Sequence, residues 1–505
     1  MKKYGFPIVL ILFIAVIIQT CLREKQMSPE VQFQAYCGSC HLVPNPANIP
    51  KAIWKNKVLP EMAARLGYKY DNYNPYLKNS MEENLFIRLS NTYPQQPLID
   101  SVKWLQIYDY VLSSAPDSIP KDSFRLSPTT ELTLFKPAAV SLNEDKLAGI
   151  TSIQYDHSSK QLFIGDAYGI LHEWQGSSPI NKKFNSPIVS YLQTADYTYL
   201  TEIGYMNPSE KPLGSLYRIR AEVIDTLAKN LHRPVYTEIT DLNEDGKEEV
   251  IICEFGNLSG QLSLLMQKDS LFEKKTLLPL PGTIKVAIAD MNNDGAKDII
   301  VLAAQGKEGI YILYQEEELR FSIEQVIQMG PEYGSSWFEL IDYNKDGYLD
   351  IVLVNGDNAD FSNFLKPYHG VRLFLNDTKN NFIQKWFYPI HGATRVLAED
   401  FDMDGDLDFA ILSFFPDFDN APEQSFVLLD NKDAENYLFE SSIAPEAKEG
   451  RWMVMEKGDF DQDGDVDIML GAFFLPIDKK HKLVSDQWRK KKSDLLFLEN
   501  TTLPL

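Results

Sequence analysis

The sequence predicts a multidomain chain in which a small all-α domain is followed by an all-β propeller of about seven four-stranded blades. Three observations carry that expectation. An acidic loop pattern recurs five times in the C-terminal part, and each copy is followed by an apolar run of strand length. Residues 28–116 instead show apolar residues three and four apart, the helical period. Between them lies Ala115-Pro-Asp-Ser-Ile-Pro-Lys-Asp-Ser123, rich in proline, serine and charge as a domain boundary should be. At 505 residues, 44% hydrophobic and 12% aromatic, the chain has apolar material for more than one core.

At the N-terminus, Lys2 and Lys3 precede an unbroken apolar run from Ile8 to Ile18, and Cys21 stands before the first polar segment. This is the shape of an export signal over residues 1–21. Ile18-Gln-Thr-Cys21 resembles a bacterial lipoprotein box, which implies lipidation of Cys21, although Gln19 and Thr20 depart from the usual small residues. The alternative is an uncleaved anchor, since Tyr4 to Leu22 is free of charge and just long enough to span a tilted or thinned bilayer. Both readings tether the protein to a membrane with its body outside the cytoplasm, in the periplasm or at the cell surface. A net charge of −22 argues against nucleic acid and favours cations.

The helical domain opens at Ser28-Pro29-Glu30, with a side-chain oxygen to cap, proline at the first turn and an acid at the positive dipole end. The helix runs into Cys37-Gly-Ser-Cys40-His41. Two thiols and an imidazole at that spacing form the c-type haem attachment signal, with Cys37 and Cys40 bound to the porphyrin and His41 as proximal iron ligand. A disulfide oxidoreductase pair lacks its βαβ surroundings here, and a zinc half-site lacks a second ligand pair. Of the remaining cysteines, Cys253 sits in an apolar run and reads as an inert buried thiol.

A second helix is expected through Ile53, Trp54, Val58, Leu59, Met62 and Leu66, ending near Gly67. A third is expected over Leu98–Leu112, with Val102, Leu105, Tyr108 and Leu112 in period, Ser101 as cap and Pro116 as stop. The opening haem motif and closing helix together resemble a class I cytochrome c domain over Ser28 to Pro116. With no histidine between His41 and His157, the sixth iron ligand within this domain is expected to be methionine. Met62 is preferred, because Leu59-Pro-Glu-Met62-Ala-Ala-Arg-Leu-Gly67 looks like the segment that follows the haem motif in cytochromes fused to calcium-loop propellers. Met81, 40 residues after His41, is the alternative.

The repeats begin at Asp241-Leu-Asn-Glu-Asp-Gly246, Asp290-Met-Asn-Asn-Asp-Gly295, Asp342-Tyr-Asn-Lys-Asp-Gly347, Asp400-Phe-Asp-Met-Asp-Gly405 and Asp459-Phe-Asp-Gln-Asp-Gly464. Each has an acid at its ninth position: Glu249, Asp298, Asp350, Asp408 and Asp467. Oxygens at positions 1, 3, 5 and 9, a backbone carbonyl at 7 and a glycine at 6 suit calcium. The predicted ligands are therefore Asp241, Asn243, Asp245 and Glu249; Asp290, Asn292, Asp294 and Asp298; Asp342, Asn344, Asp346 and Asp350; Asp400, Asp402, Asp404 and Asp408; and Asp459, Asp461, Asp463 and Asp467. The Asp241 loop is the weakest, because Glu248 crowds its ninth residue. An EF-hand fails, since position 12 carries no glutamate and strands follow the loops.

The loops recur at the spacing of a four-stranded blade. They resemble the FG-GAP or VCBS repeats of integrin-like propellers, in which calcium pins the turn between the first two strands. Earlier units at Ile150–Gln175 and Pro187–Ile219 bring the count to about seven, and Glu131–Phe135 is expected to complete the last blade beside Leu495–Leu498. The domains are thus 1–21, a signal or lipoprotein anchor; 28–116, cytochrome; 117–126, linker; and 127–505, propeller.

These features predict an electron carrier with one covalent haem and up to five calcium ions, a redox protein as partner, and a propeller for docking. Lys285, Trp337 and Arg395, five residues ahead of their loops, with Arg451 and Trp452 near theirs, could face the channel and take an anionic or carbohydrate ligand, or simply pack between blades. His369 and His391 have no partner pattern. The runner-up functions are a sugar or alcohol dehydrogenase passing electrons to the haem, and a calcium-dependent adhesion or glycan-binding module. Neither a dinucleotide motif nor quinoprotein-like tryptophan periodicity is present.

Overall fold

Between successive acidic loops the chain alternates in hydropathy, and in the computed structural model these segments form the strands of seven sheets. The structure describes residues 27–69, 73–120, 129–143, 145–174, 183–221, 223–269, 271–357 and 364–502. The leader, Cys21 and residues 121–128 of the linker region lie outside the described residues. Among those described, no helix is long and apolar enough to cross a membrane.

The seven inner strands are Ile150–Asp156, Ile188–Gln193, Pro234–Thr240, Thr283–Ala289, Ser335–Ile341, Ala393–Glu399 and Trp452–Gly458. Each touches the next, and the seventh touches the first, so the sheets form a closed seven-bladed ring. Blade one has three described strands and the other six have at least four. Second strands such as Asp298–Ala303, Asp350–Asn355 and Asp408–Ser413 are buried at every position. Sheets cover both their faces, which explains their near-continuous apolar sequence. All seven inner strands carry an irregularity in register at the same place, just ahead of Ser152, Ser190, Tyr236, Lys285, Trp337, Arg395 and Val454. Bulges of this kind re-aim the side chains that follow.

Ring closure differs from expectation in its residues. Phe135–Val140 pairs antiparallel with Leu495–Asn500 and completes blade seven. Thr129–Glu131 instead adds in parallel to Leu438–Ile443, at the outer edge of blade six. Phe135 is 2% exposed and packs edge-on against Phe401, so a longer apolar strand outcompetes the shorter polar one for the closing position.

Ahead of the ring lie helices Pro29–Cys37, Leu59–Arg65, Met81–Leu89 and Ser101–Ser114. They are few and mostly short, the longest having 14 residues. Ser28 caps the first through Val31 N–H at 3.3 Å, with Pro29 in the first turn. The second predicted helix is broken into Lys51–Ile53, a π-helical stretch Trp54–Val58, and Leu59–Arg65. Pro60 has no N–H to give to the preceding turn, and the ladder widens around it. The last helix is capped by Asp100 rather than Ser101. It also buries a different face: Trp104, Ile107 and Val111 go inward while Val102 and Leu105 are exposed. Glu61, buried on Leu59–Arg65, accepts from Arg65 Nε at 2.9 Å, Tyr93 Oη at 2.7 Å and Tyr73 Oη.

In an antiparallel blade, turns alternate between ends. The acidic loops join first and second strands and occupy one face of the ring. The helices touch the other face, through connections between second and third strands or between blades. Asn48 Nδ2 donates to Glu332 Oε1 at 3.0 Å, Tyr368 Oη donates to the Asn48 carbonyl at 3.2 Å, and Phe364 packs against the helical core.

Candidate functional site

The acidic loops share one backbone shape. Position four is left-handed in all five, at Glu244, Asn293, Lys345, Met403 and Gln462, and the glycine at position six has φ between 82° and 106°. Only glycine adopts the latter without strain. In four loops that glycine's N–H donates to the first aspartate at 2.8–2.9 Å. The N–H of position seven donates to the fifth residue in all five, at 2.8–3.2 Å. These bonds hold the side-chain oxygens of each loop to its own backbone.

The ninth acid has a second task. Asp298, Asp350, Asp408 and Asp467 are at most 1% exposed, and each accepts on Oδ2 from the N–H of loop position two. On Oδ1 each accepts from the end of the third strand, at Gln315, Asn376, Asn431 or Asn500. A carboxylate oxygen with one such bond still has a lone pair for a cation. Burial pushes Asp408 up to about 7 and Asp350 and Asp467 up to about 6 against the pull of those N–H groups. Glu249 bonds Leu242 N–H in the same way, and Glu248 turns toward blade two, accepting from Tyr199 Oη at 2.9 Å, so it does not crowd the loop.

Two loops gather their acids tightly. One carboxylate oxygen from each of Asp400, Asp402 and Asp408 lies within 4.8 Å of the others, as do those of Asp459, Asp461 and Asp463. Asp400 Oδ1, Asp459 Oδ1 and both oxygens of Asp465 are buried without a hydrogen-bond partner among the described residues. Buried, partnerless carboxylate oxygens are what a hard cation would satisfy, so the donor set fits calcium. Asp465 sits at position seven, where only a backbone carbonyl is expected, yet it is 0% exposed. Its acid is plain in Asp461-Gln-Asp-Gly-Asp465; the conventional ligand positions hid it.

Neighbouring loops are latched together, a feature without a sequence expectation. The amide of Gln315 donates to the Leu242 carbonyl, Asn380 to that of Met291 and Asn500 to that of Phe401, at 2.8–2.9 Å. Each latch joins a loop to the following blade. A polar amide just past an apolar strand was the available signal. A groove of about 640 Å³ opens beside the Asp290 loop, lined by Asn292, Asp294, Tyr314, Tyr348, Thr378 and Lys379.

Inside the ring, Lys285, Trp337 and Arg395 do come together. Trp337 has Lys285 Nζ 4.0 Å and the Arg395 guanidinium 3.7 Å from its ring centre. Glu339 accepts from both Lys285 Nζ and Trp337 Nε1 at 2.8 Å. Glu238 and Glu456 stand nearby, the latter pushed up to about 7 by burial, while burial lowers Lys285 and takes Arg395 down to about 10. Three acids against two cations weaken the anion-binding reading. Arg451 and Trp452 serve packing: Arg451 donates to the carbonyls of Phe414 and Leu475, and Trp452 Nε1 to that of Ala447. His369 and His391 are buried, with pKa values held down chiefly by burial. Cys253 is buried, and burial raises its thiol well above the usual range.

In the helical region, Cys37 ends its helix half-buried against the core of Phe33, Trp54, Leu59 and Trp104, and Met62 belongs to the same cluster. Cys40 is exposed. Burial pushes the Cys37 thiol up to about 12, the reverse of an activated redox thiol. His41 Nδ1 bonds the Leu42 carbonyl at 2.8 Å, leaving Nε2 as the outward nitrogen. Met81 is not brought to this cluster; it begins its helix 93% exposed.

The family described as FG-GAP-like repeat matches residues 241–301, 290–353 and 342–411, each stretch starting on the first aspartate of a loop. No curated protein matches the chain. Among solved structures, it is similar to the WD40 domain of Neurospora crassa Pan2, at 12% identity over 75% of this chain and 99% of that one, with a TM-score of 0.41. The structure of BBS1N in complex with ARL6DN is similar at 11% identity over 74% and 97%, with a TM-score of 0.43. The N-terminal domain of Nup159 is similar at 10% identity over 74% and 99%, with a TM-score of 0.40. The chain carries FG-GAP-like repeats in a seven-bladed β-propeller.

Proposed function

We propose that the chain is a membrane-tethered, extracytoplasmic electron carrier, in which residues 28–116 form a class I cytochrome c domain and the propeller docks its redox partner. A propeller with FG-GAP-like repeats fits a ligand- or partner-binding module. The observation that carries the haem reading is the setting of Cys37, Cys40 and His41. A capped helix ends with Cys37 at the rim of an apolar cluster, Cys40 follows one turn on and faces outward, and His41 is oriented by its Nδ1 bond. Cys37 and Cys40 would hold the porphyrin, and His41 Nε2 and Met62, in preference to exposed Met81, would hold the iron. Bound haem would supply one-electron transfer. The chain's own residues do the rest: the Leu42 carbonyl fixes the imidazole tautomer, and Trp54, Leu59 and Tyr68 exclude water from the cluster's side.

Calcium would sit in the acidic loops, with the Asp400 and Asp459 loops best formed to hold it. The test of the haem reading is the optical spectrum of protein made with the cytochrome c maturation system, before and after acid–acetone extraction. A sharp reduced band that stays with the protein is expected. No retained pigment overturns the electron-carrier reading and leaves a calcium-dependent binding module, such as one for adhesion or glycans.

A further inference from the structure

Helix Met81–Leu89 faces two environments. Glu82 pairs with Lys211 Nζ at 2.5 Å, and Glu83 accepts from Ser209 Oγ at 3.0 Å and from the Glu210 N–H, so one side is fastened to blade two. Ile87 is buried. On the outside, Met81, Leu85 and Leu89 follow one another at four-residue spacing, 93%, 54% and 65% exposed, and Leu77, in the turn before the helix, is 75% exposed. Isolated exposed leucines are ordinary, but a full stripe on a helix already docked on its other side calls for an occupant.

We propose that this stripe rests in the headgroup region of the lipid bilayer, so that the helical unit lies on the membrane that tethers the chain. The inference rests on the tethered reading above. Three observations select a bilayer over a protein partner. First, only eight residues separate the end of the apolar run at Ile18 from Met27, where the described helical unit begins. Fully extended they reach about 30 Å, roughly the width of the unit itself. Second, residues 27–116 hold eight Lys/Arg against seven Asp/Glu, although the whole chain is at −22. The acidity therefore sits in the propeller, which an anionic leaflet repels, while the helical unit meets no such barrier. Third, at 3.6 residues per turn the stripe lies opposite Glu83 and buried Ile87, with the Glu82–Lys211 pair at its edge, so contact with the membrane leaves the Glu83 joint to the propeller intact. A helix apolar on one side and polar on the other is the form that lies in an interface plane.

The test uses the full chain in vesicles of three parts phosphatidylcholine to one part phosphatidylglycerol, with a thiol-reactive fluorophore on Met81→Cys and, separately, on Leu271→Cys, an exposed position of blade three. Labelled wild type serves as background. With doxyl-labelled lipid, the probe at 81 should lose roughly half its emission or more, and the probe at 271 almost none. Changing Leu85 and Leu89 to Gln should relieve the quenching at 81 while the protein still floats with the vesicles. Co-flotation with equal emission loss at both positions overturns the stripe proposal and leaves the tether standing. Failure to co-float overturns the tethered reading, and this inference with it.

Discussion

Strand Asp350–Asn355 of blade five is buried along its whole length, whereas in the helical unit Met62 stays half-buried and Val102, Leu105, Leu85 and Leu89 face water. The difference follows from size and geometry. A closed ring of sheets covers both faces of its inner layers by its own sequence. The short helices of residues 27–116 cover one core and leave these other apolar side chains uncovered. The propeller has the opposite difficulty, since its surplus lies in acids crowded into the loops. One region is short of apolar cover and the other of positive charge.

The comparison can be broken most sharply at the haem motif. Replacing Cys37 and Cys40 by serine should abolish covalently retained pigment while leaving the calcium-dependent melting of the propeller in place, as read by extraction spectra and calorimetry. Next, Met62→Ala should convert a low-spin reduced spectrum to a high-spin one, and Met81→Ala should not; the reverse result would move the ligand to the exposed methionine. Calcium chelation with verified metal loss should lower the propeller's melting temperature and keep the pigment bound. Each site filled to 100 times its dissociation constant contributes about 2.7 kcal/mol, so unchanged melting would remove calcium from the loops.

Smaller effects probe the propeller alone. Glu308 is buried and accepts from Ser335 N–H and Oγ; burial, with Glu332 adding to it, pushes its carboxyl up to about 8. A raised acid favours the folded state below its unfolded pKa, near 4.5, and loses that contribution as pH rises through 8. The wild type should therefore lose on the order of 2–4 kcal/mol relative to Glu308→Gln between pH 4.5 and 9, seen as diverging urea midpoints. Asn500→Ala removes the amide bonds to the Phe401 and Val466 carbonyls and should cost about 1–3 kcal/mol. If the latch couples neighbouring loops, the same change should also weaken calcium binding at the Asp400 loop, measurable by calorimetric titration.

The loops and blade count were legible because few arrangements besides a cation loop set oxygens at fixed places in nine residues, and the apolar run that follows marks a strand covered on both sides. The closing strand was not, since Thr129–Glu131 and Phe135–Val140 both have strand length, and which one meets Leu495–Asn500 is decided by long-range packing of Phe135 on Phe401. The buried face of Ser101–Ser114 was not legible either, because this helix carries apolar residues on two sides, and periodicity alone does not say which side meets the core. The haem motif was visible as five contiguous residues. By contrast, the placement of Met62 in the cluster and of Met81 outside it depends on the break at Pro60 and the start of a new helix at Met81.

Because Phe135–Val140 closes the ring against Leu495–Asn500, the order in which the chain is made has a physical consequence. Lys136 and Glu499 face each other across the seam although 363 residues separate them. At ordinary synthesis rates the first waits roughly 20–70 s for the second. During that interval the edge of an unfinished sheet is open, and so is the inner surface of blade seven. The helical unit is complete before any blade, and in the proposed tethered form it would fold first, at the membrane. In that form, a nascent ring held at the membrane would have few neighbours with which to pair wrongly until Leu495–Asn500 shuts the seam.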